Sequence, residues 1–234
     1  MFTQPTILNL EVLKPGRQSI IISENNPEKF SLIKYLIYHY IFDYKYNSCF
    51  VCCNLNNYSY YKNIIDEKYI STDTPKMLNE LLKNQLNILS NIENKNSNQD
   101  YRTLLILDVI DDSSIIENID FKDLIYNGIH YGITTILSTS IKNIDLLNNG
   151  IIGNCSFIFL FNNINENEIK KMYNLFGGIF LTEKDFKTAL QTFTQNNQIF
   201  ILNLLYHCTY SSLNDHVNIL KIEDHLKKIS FNIN

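Results

Sequence analysis

Three residues of this sequence have types and a spacing that could bind a nucleotide and its Mg²⁺: Lys29, Ser31 and Asp108. A phosphate-binding loop joins a buried strand to a helix and reads G-x-x-x-x-G-K-[ST]. Its glycines let backbone N–H groups surround the phosphates, its lysine binds the β- and γ-phosphates, and its hydroxyl binds Mg²⁺. Here the apolar run 17–23 predicts a buried strand, and Lys29 stands one turn into the helix predicted to follow.

The loop departs from that motif at its glycine and hydroxyl positions. When Lys29 is aligned with the motif lysine, Ser23 and Glu28 take the glycine positions and Phe30 takes the hydroxyl position. Ser31 is displaced by one residue, which is about 100° around a helix. Glu28 adds a Cβ and a negative charge where the backbone would approach phosphate, and Phe30 cannot bind Mg²⁺.

The same segment fits an ordinary helix start. Asn26 is a favoured N-cap residue, Pro27 suits the first helical position, and Glu28 complements the helix dipole. Glu24 adds a second carboxylate nearby. We therefore favour a helix start over a working phosphate loop.

The run Leu104–Asp108 is typical of a Walker B strand, in which four apolar residues precede an Asp that orients Mg²⁺ through water. A catalytic acid would come next, but Val109 stands there and cannot act as a base. Asp111 and Asp112 follow two or three residues later, where their side chains point elsewhere, so they are poor substitutes.

Composition limits the function classes. A chain of 234 residues with 45% hydrophobic content suits one α/β domain, and a net charge of −4 argues against a surface that coats nucleic acid. The sequence shows no secretory signal and no run long enough to span a bilayer, so we expect a reduced, cytosolic compartment and no membrane.

Three of the five cysteines, Cys49, Cys52 and Cys53, lie in one short apolar run, SCFVCCNL (48–55). We interpret this run as a buried strand and not as a metal site, because no second cysteine pair follows at zinc spacing. His207 and Cys208 are the only residues that could complete such a site.

Apolar runs alternate with helical patterns along the chain, which predicts a mostly parallel sheet with helices on both faces. We expect a single domain with a core over about residues 17–207 and a C-terminal tail over about 208–234. The predicted strands are 6–13, 17–23, 48–55, a strand within 101–112, 132–140, 155–163 and 198–207. The predicted helices are 27–46, 74–93, 121–127, 142–149, 165–176 and 183–194.

From about Ser19 to Tyr206 the sequence resembles the viral genome-packaging ATPases of the FtsK–HerA superfamily, found in poxviruses, other large DNA viruses and virophages. The resemblance rests on IIISENNPEKFSLIKYLIYHY, LLILDV, NGIHYGITTILSTS, FIFLFNN and GGIFLTEKDFKTAL. It implies a P-loop NTPase fold of the RecA/FtsK–HerA type. It also implies ATP hydrolysis coupled to the movement of DNA into a capsid, generally by a ring-forming motor.

The sequence departs from this family at two further positions. Ile129 stands where the family carries an Arg that could stabilise charge on phosphate, and Ser140 stands where it carries a polar sensor, usually Gln. We therefore predict a catalytically degenerate homologue with no catalytic residues and no cofactor. Lys29, Ser31 and Asp108 would be the remnants of its nucleotide site, with Lys29 and Asp108 as neighbours in an ion pair.

Two other functions stay open. A nucleotide-binding or active packaging ATPase would use ATP and Mg²⁺ through Lys29, Ser31 and Asp108, with Asp111 or Asp112 as the acid. A virion structural or scaffold protein would have no motor role. The expected partner is an active packaging ATPase, a capsid component or a second copy, in a viral factory of the host cytoplasm or in the virion. DNA is implied by the resemblance alone.

Overall fold

Strands and helices alternate along the chain in the computed structural model, which describes residues 6–7, 13–95, 101–109, 113–161, 165–194, 198–204 and 217–221. The strands are β1 (Thr6–Ile7), β2 (Gln18–Ile22), β3 (Ser48–Cys53), β4 (Ile70–Ser71), β5 (Thr103–Asp108), β6 (Ile133–Thr139), β7 (Cys155–Leu160), β8 (Gln198–Asn203) and β9 (Val217–Lys221). The α-helices are α1 (Pro27–Tyr38), α2 (Leu55–Lys62), α3 (Thr74–Lys95), α4 (Ser113–Glu117), α5 (Ile119–Asn127), α6 (Asn149–Gly153), α7 (Glu166–Phe176) and α8 (Glu183–Phe193).

All of these strands belong to one nine-stranded sheet, in the order β1-β9-β8-β7-β2-β6-β5-β3-β4. The strands from β7 to β4 are parallel, and β8 runs antiparallel to both of its neighbours. The predicted α/β fold with a mostly parallel sheet is therefore confirmed. Because β6 separates β2 from β5, the ends of these three strands lie side by side at one edge of the sheet.

Helices cover both faces of the sheet, as predicted. On one face α1 and α2 pack with Ile21 of β2 and with Val51 of β3. On the other face α3, α5, α7 and α8 pack with Ile20 and Ile22. Each residue of β2 is buried, so this strand has the covered central position that its continuous apolar run predicts.

The helix predicted over 27–46 has a different geometry at its C-terminal end. Helix α1 ends at Tyr38, and His39–Asp43 form a π-helical turn, because the backbone N–H of Tyr44 bonds to the carbonyl of His39 five residues earlier. The apolar stripe predicts which face is buried, but it does not distinguish the two hydrogen-bond patterns.

Three other boundaries differ from the predictions. Helix α3 continues to Lys95, beyond the predicted end at residue 93. The helix predicted at 142–149 is a 3₁₀ helix, Ile141–Leu146, followed by α6. Strands β1 and β9 lie outside the predicted core of 17–207 but belong to the sheet, because β9 pairs with both β8 and β1.

No helix in the described part of the chain is long and apolar enough to cross a membrane.

Candidate functional site

Lys29 and Asp108 meet at the edge of the sheet where the parallel strands β2 and β5 end. Asp108 is the last residue of β5, and Lys29 lies in the first turn of α1. Their side chains form an ion pair with 2.5 Å between Lys29 Nζ and Asp108 Oδ1, and they are only 3% and 2% exposed. The predicted contact between these residues, which are 79 positions apart, is therefore present.

Asp108 is held by two further donors from α2. The amide nitrogen of Asn57 and the hydroxyl of Tyr61 each donate to Asp108 Oδ2, both at 2.9 Å. On the other side, Lys29 Nζ donates to Oδ1 of Asn25 at 2.7 Å, and Asn57 Nδ2 lies 3.3 Å from the same oxygen. We call Asn25, Lys29, Asn57, Tyr61 and Asp108 the closed cluster.

Burial makes this hydrogen bonding necessary. A charge pair removed from water is stable only when the remaining donors and acceptors are also paired. Both carboxylate oxygens of Asp108 have donors, and two acceptors surround the ammonium of Lys29. The closed cluster therefore satisfies its own charges without a bound ion or ligand.

The segment before α1 is a capped helix start, with Asn26 as the N-cap and Pro27 at the first helical position, as the sequence predicts. Asn26 has extended backbone angles, and its Oδ1 accepts a hydrogen bond of 2.8 Å from the backbone N–H of Lys29. Asn26 Nδ2 donates to the hydroxyl of Ser23, and the backbone N–H of Ser23 donates to the carbonyl of Thr139 at the end of β6. Two backbone N–H groups of the loop are thus bonded within the protein.

Phe30 forms an aromatic wall beside the closed cluster. Its ring centroid lies 4.1 Å from that of Tyr60 and 6.2 Å from that of Tyr61, and Lys29 Nζ lies 5.4 Å from the Phe30 centroid. The hydroxyl of Tyr60 donates to the carbonyl of Phe30 at 2.6 Å. The position that would carry an Mg²⁺-binding hydroxyl in the motif therefore contributes packing between α1 and α2.

Two neighbouring groups are kept neutral by this environment. Burial, followed by the charge of Asp108 and the hydrogen bond to it, raises the pKa of Tyr61 well above its ordinary value of 10. Burial and the same carboxylate raise the pKa of Cys53 to about 12. Tyr61 therefore keeps its proton at neutral pH and donates it to Asp108.

Ser31 does not join the closed cluster. Its hydroxyl donates to the carbonyl of Pro27 within α1, at 2.8 Å. Val109 follows β5 and packs, half-buried, against the core. Asp111 and Asp112, the alternative acids, lie outside the described residues.

The other members of the closed cluster were not predicted. Asn25 stands in the loop, and Asn57 and Tyr61 come from a helix in a segment to which the sequence assigned no element. Their spacing is the one sequence signal for this contact. Asn57 and Tyr61 are four residues apart, so they share one face of a helix that follows a buried strand.

Ile129 and Ser140 lie at opposite ends of β6. Ser140 follows the strand at the edge that carries the closed cluster. Ile129 precedes the strand and packs on Gly16, so closely that a Cβ on that glycine would lie 2.7 Å from Ile129 Cγ1. A side chain at position 129 therefore faces away from the closed cluster of its own chain.

The segment NGIHYG is organised by one carboxylate of α5. Asn127 Nδ2 donates to Asp123 at 2.6 Å, and the hydroxyl of Tyr131 lies 3.2 Å from both Asp123 oxygens. Gly132 has a φ of +71°, which favours glycine. Packing and a turn account for Tyr131 and Gly132.

The cysteines of β3 alternate between the two faces of the sheet. Cys49 and Cys53 pack with α1 and α2, whereas Cys52 packs on the opposite side. All three are buried thiols, as predicted, and among the described residues no group of three or more metal-ligand side chains forms a metal site. His207 and Cys208 lie outside the described residues.

No family model and no curated protein matches this chain. Solved structures do match. The genome-packaging NTPase B204 of Sulfolobus turreted icosahedral virus 2, in complex with AMPPCP, superposes with a TM-score of 0.59 and 14% identity over 89% of this chain and 98% of its own. The DNA-packaging ATPase B204 of Sulfolobus Turreted Icosahedral Virus gives 0.54 and 17% over 88% and 98%.

The fold is that of the viral genome-packaging ATPases. The pCW3 conjugation coupling protein TcpA also matches, with a TM-score of 0.54 and 10% identity over 90% of this chain and 62% of its own. The packaging-ATPase fold predicted from the strand–loop–helix segments is therefore confirmed. The likeness extends over nearly the whole of each viral protein.

Proposed function

We propose that this chain is a catalytically degenerate packaging-ATPase homologue with a structural or regulatory role in virus assembly or DNA packaging. The observation that carries the proposal is the ion pair between Lys29 and Asp108, buried and closed by Asn57 and Tyr61. These two residues stand where the motif lysine and the Walker B carboxylate would otherwise serve a nucleotide and its Mg²⁺.

A nucleotide would have to open this ion pair. The lysine would turn towards phosphate and the carboxylate towards the waters of Mg²⁺, so both would leave partners that now satisfy them. Loss of one partner from a buried pair costs about 3–5 kcal/mol, because the other charge is left uncompensated. This is comparable to the roughly 4 kcal/mol that a ligand of millimolar affinity gains. A nucleotide would therefore bind only if its phosphates and Mg²⁺ replaced the partners that Lys29 and Asp108 have in the closed cluster.

The loop before α1 provides few groups that could bind a nucleotide. The backbone N–H groups of Ser23 and Lys29 already have acceptors within the protein. Glu24 and Glu28 are exposed carboxylates beside the start of α1, where a triphosphate would be repelled. Ser31, the nearest hydroxyl after the lysine, is bonded to its own helix. The residues of this loop therefore do not fit a nucleotide with bound Mg²⁺.

In this proposal the fold is retained for protein contacts. The partner would be an active packaging ATPase, a capsid component or a second copy of the chain, in the viral factory or the virion. The solved neighbours include packaging ATPases in complex with ATP-gammaS and AMPPCP. This chain would share their architecture while leaving nucleotide chemistry to an intact homologue.

Nucleotide binding tests the proposal directly. Thermal unfolding of the wild-type chain and of Lys29→Met would be followed with and without millimolar Mg-ATP. We expect the same melting temperature with and without nucleotide in both proteins. A saturable rise in the wild type that disappears in Lys29→Met would overturn the degenerate assignment.

A second experiment addresses the role. The chain would be co-expressed with an intact packaging ATPase encoded by the same genome, and complexes would be separated by size. We expect a stoichiometric complex that also forms with Lys29→Met, because Lys29 acts inside the fold. Loss of the complex in this variant, with its fold intact, would contradict a purely structural site.

A nucleotide-binding or active ATPase is the second candidate, favoured by the proximity of Lys29 and Asp108. Both residues remain at the edge of the sheet where such an enzyme would use them, and one rearrangement could free them. This candidate predicts the saturable response to Mg-ATP described above, with hydrolysis that depends on Asp108.

A further inference from the structure

A polar cavity lies at the opposite edge of the sheet from the closed cluster. Its volume is about 290 Å³. The start of β2, the end of α5, the turn between α6 and β7, and Leu204 line it. Ligand pockets occupy roughly 300–1,000 Å³, so this volume suits a molecule with a single small ring.

Arg17 supplies the charge of this cavity. Its side chain is half-buried in the lining, and within the described ranges its guanidinium has no ion-pair or hydrogen-bond partner. Its backbone N–H is used in the turn before β2, where it donates to the carbonyl of Lys14 at 3.2 Å. A guanidinium presents a planar fork of donors that matches a carboxylate or a phosphate.

Gln18 leaves an acceptor unpaired in the wall of the same cavity. Its Nε2 donates to the carbonyl of Ile125 at 2.8 Å and lies 3.4 Å from that of Leu124, which fixes the orientation of the amide. Its Oε1 is buried and has no hydrogen-bond partner in the described part of the chain. The wall of the cavity beside Arg17 is therefore polar.

Tyr126 and Ile129 form the apolar side of the cavity. They are 54% and 49% exposed, although both line it, so each presents apolar surface at its opening. Gly153 leaves open space on the side between α6 and β7, because a Cβ built on it meets no atom within 4 Å. A ring can therefore lie against these side chains while an acidic group reaches Arg17.

We propose that this cavity binds a small anionic molecule with an aromatic body, such as an aromatic carboxylate or phosphate ester. Arg17 binds the acidic group, and Tyr126 and Ile129 contact the ring. The site is separate from the closed cluster, so it does not depend on whether a nucleotide binds there.

Titration calorimetry with defined probes tests the site. Benzoate and phenyl phosphate represent the two anion types, and benzamidine is a cationic molecule of similar shape. We expect saturable binding of at least one anion and none of benzamidine. Affinity should fall at least about tenfold in Arg17→Gln, since a charge-assisted hydrogen bond is lost. Failure of both anions to bind, or equal binding of benzamidine, would overturn the site.

Two glycine variants locate the binding. Gly153→Leu adds a side chain within the lining of the cavity and should abolish binding. Gly178→Leu is the matched control, because Gly178 also has open space around its Cβ but does not line the cavity. Circular dichroism would verify that each variant is folded. Unchanged affinity in folded Gly153→Leu, or equal loss in both variants, would contradict the assignment.

Discussion

The hydroxyl of Tyr61 lies 2.9 Å from Oδ2 of Asp108 and donates a hydrogen bond to it. The contact joins α2 to the end of β5 across 47 residues of sequence. It gives the oxygen that Lys29 does not bind a neutral donor, shared with Asn57. The buried carboxylate is therefore stabilised by side chains from two helices. Its removal should take a hydrogen-bond or charge partner from Lys29, Asn57 and Tyr61.

Removal of one partner of the ion pair should destabilise the fold strongly. Asp108→Ala leaves the buried ammonium of Lys29 without a counter-charge, and we expect the free energy of unfolding to fall by about 3–5 kcal/mol. Urea unfolding followed by circular dichroism measures this loss.

The double variant Lys29→Met with Asp108→Leu is the control for the charge. It replaces both charges by apolar groups, so it should recover part of the stability lost in Asp108→Ala, although Asn57 and Tyr61 then lose their acceptor. A double variant as unstable as the sum of the two single variants would show that the residues do not act as a pair.

Two buried tyrosines should respond differently to loss of their hydroxyls. Tyr61 donates to a carboxylate, so Tyr61→Phe should lower the free energy of unfolding by about 1.5–3 kcal/mol. Tyr40 is equally buried, but its hydroxyl has no hydrogen-bond partner in the ranges described. Tyr40→Phe should therefore be neutral or slightly stabilising in the same urea measurement, and equal losses would contradict the role of the bond to Asp108.

The thiols of β3 should make the fold sensitive to alkali. Burial raises the pKa of Cys52 and of Cys53 from 9 to about 12. Above pH 9 the unfolded chain loses these protons while the folded chain keeps them, so the free energy of unfolding falls as pH rises towards 12. Each thiol contributes at most about 1.4 kcal/mol per pH unit in this window.

Urea unfolding at several pH values between 8 and 10.5 would measure this slope. Cys53→Ala should reduce it relative to the wild type, although the alanine also lowers stability at neutral pH by leaving a cavity. Buried tyrosines add to the slope mainly above pH 10, because their pKa is raised from an ordinary value of 10. A slope that is unchanged in Cys53→Ala would exclude the thiol as its source.

Local patterns in the sequence predicted those features that depend on neighbouring residues. The run QSIII predicted the central strand, because a strand covered on both faces needs apolar residues without alternation. Asn26 and Pro27 predicted the start of α1 through capping chemistry. The pairing of Lys29 with Asp108 followed from placing both residues in a known fold.

Features that depend on contacts distant in sequence were missed. Asn57 and Tyr61 stand in a helix whose polar and aromatic residues show little amphipathic pattern, so their function in the closed cluster emerges only when α2 packs beside β5. The sequence predicts a tail over about 208–234, whereas Val217–Lys221 form strand β9. This strand forms by pairing with the free side of β8.

Restoring the phosphate-loop motif should restore weak nucleotide binding. Ser23→Gly, Glu28→Gly and Phe30→Thr together produce the motif around Lys29. We expect the free energy of unfolding to fall by at least about 2 kcal/mol. Glycine weakens the first turn, the carboxylate no longer complements the helix dipole, and the packing of Phe30 against Tyr60 is lost. A saturable thermal shift with millimolar Mg-ATP should appear, since the loop gains backbone freedom and loses a repelling charge.

The ion pair should still limit affinity in the restored chain. Adding Tyr61→Phe removes one bond that holds Asp108, so Mg-ATP should bind about tenfold more tightly, as expected for a charge-assisted bond. Adding Lys29→Met instead should abolish the response and serves as the control. If the restored loop shows no thermal shift in either background, residues other than the loop and the closed cluster exclude the nucleotide.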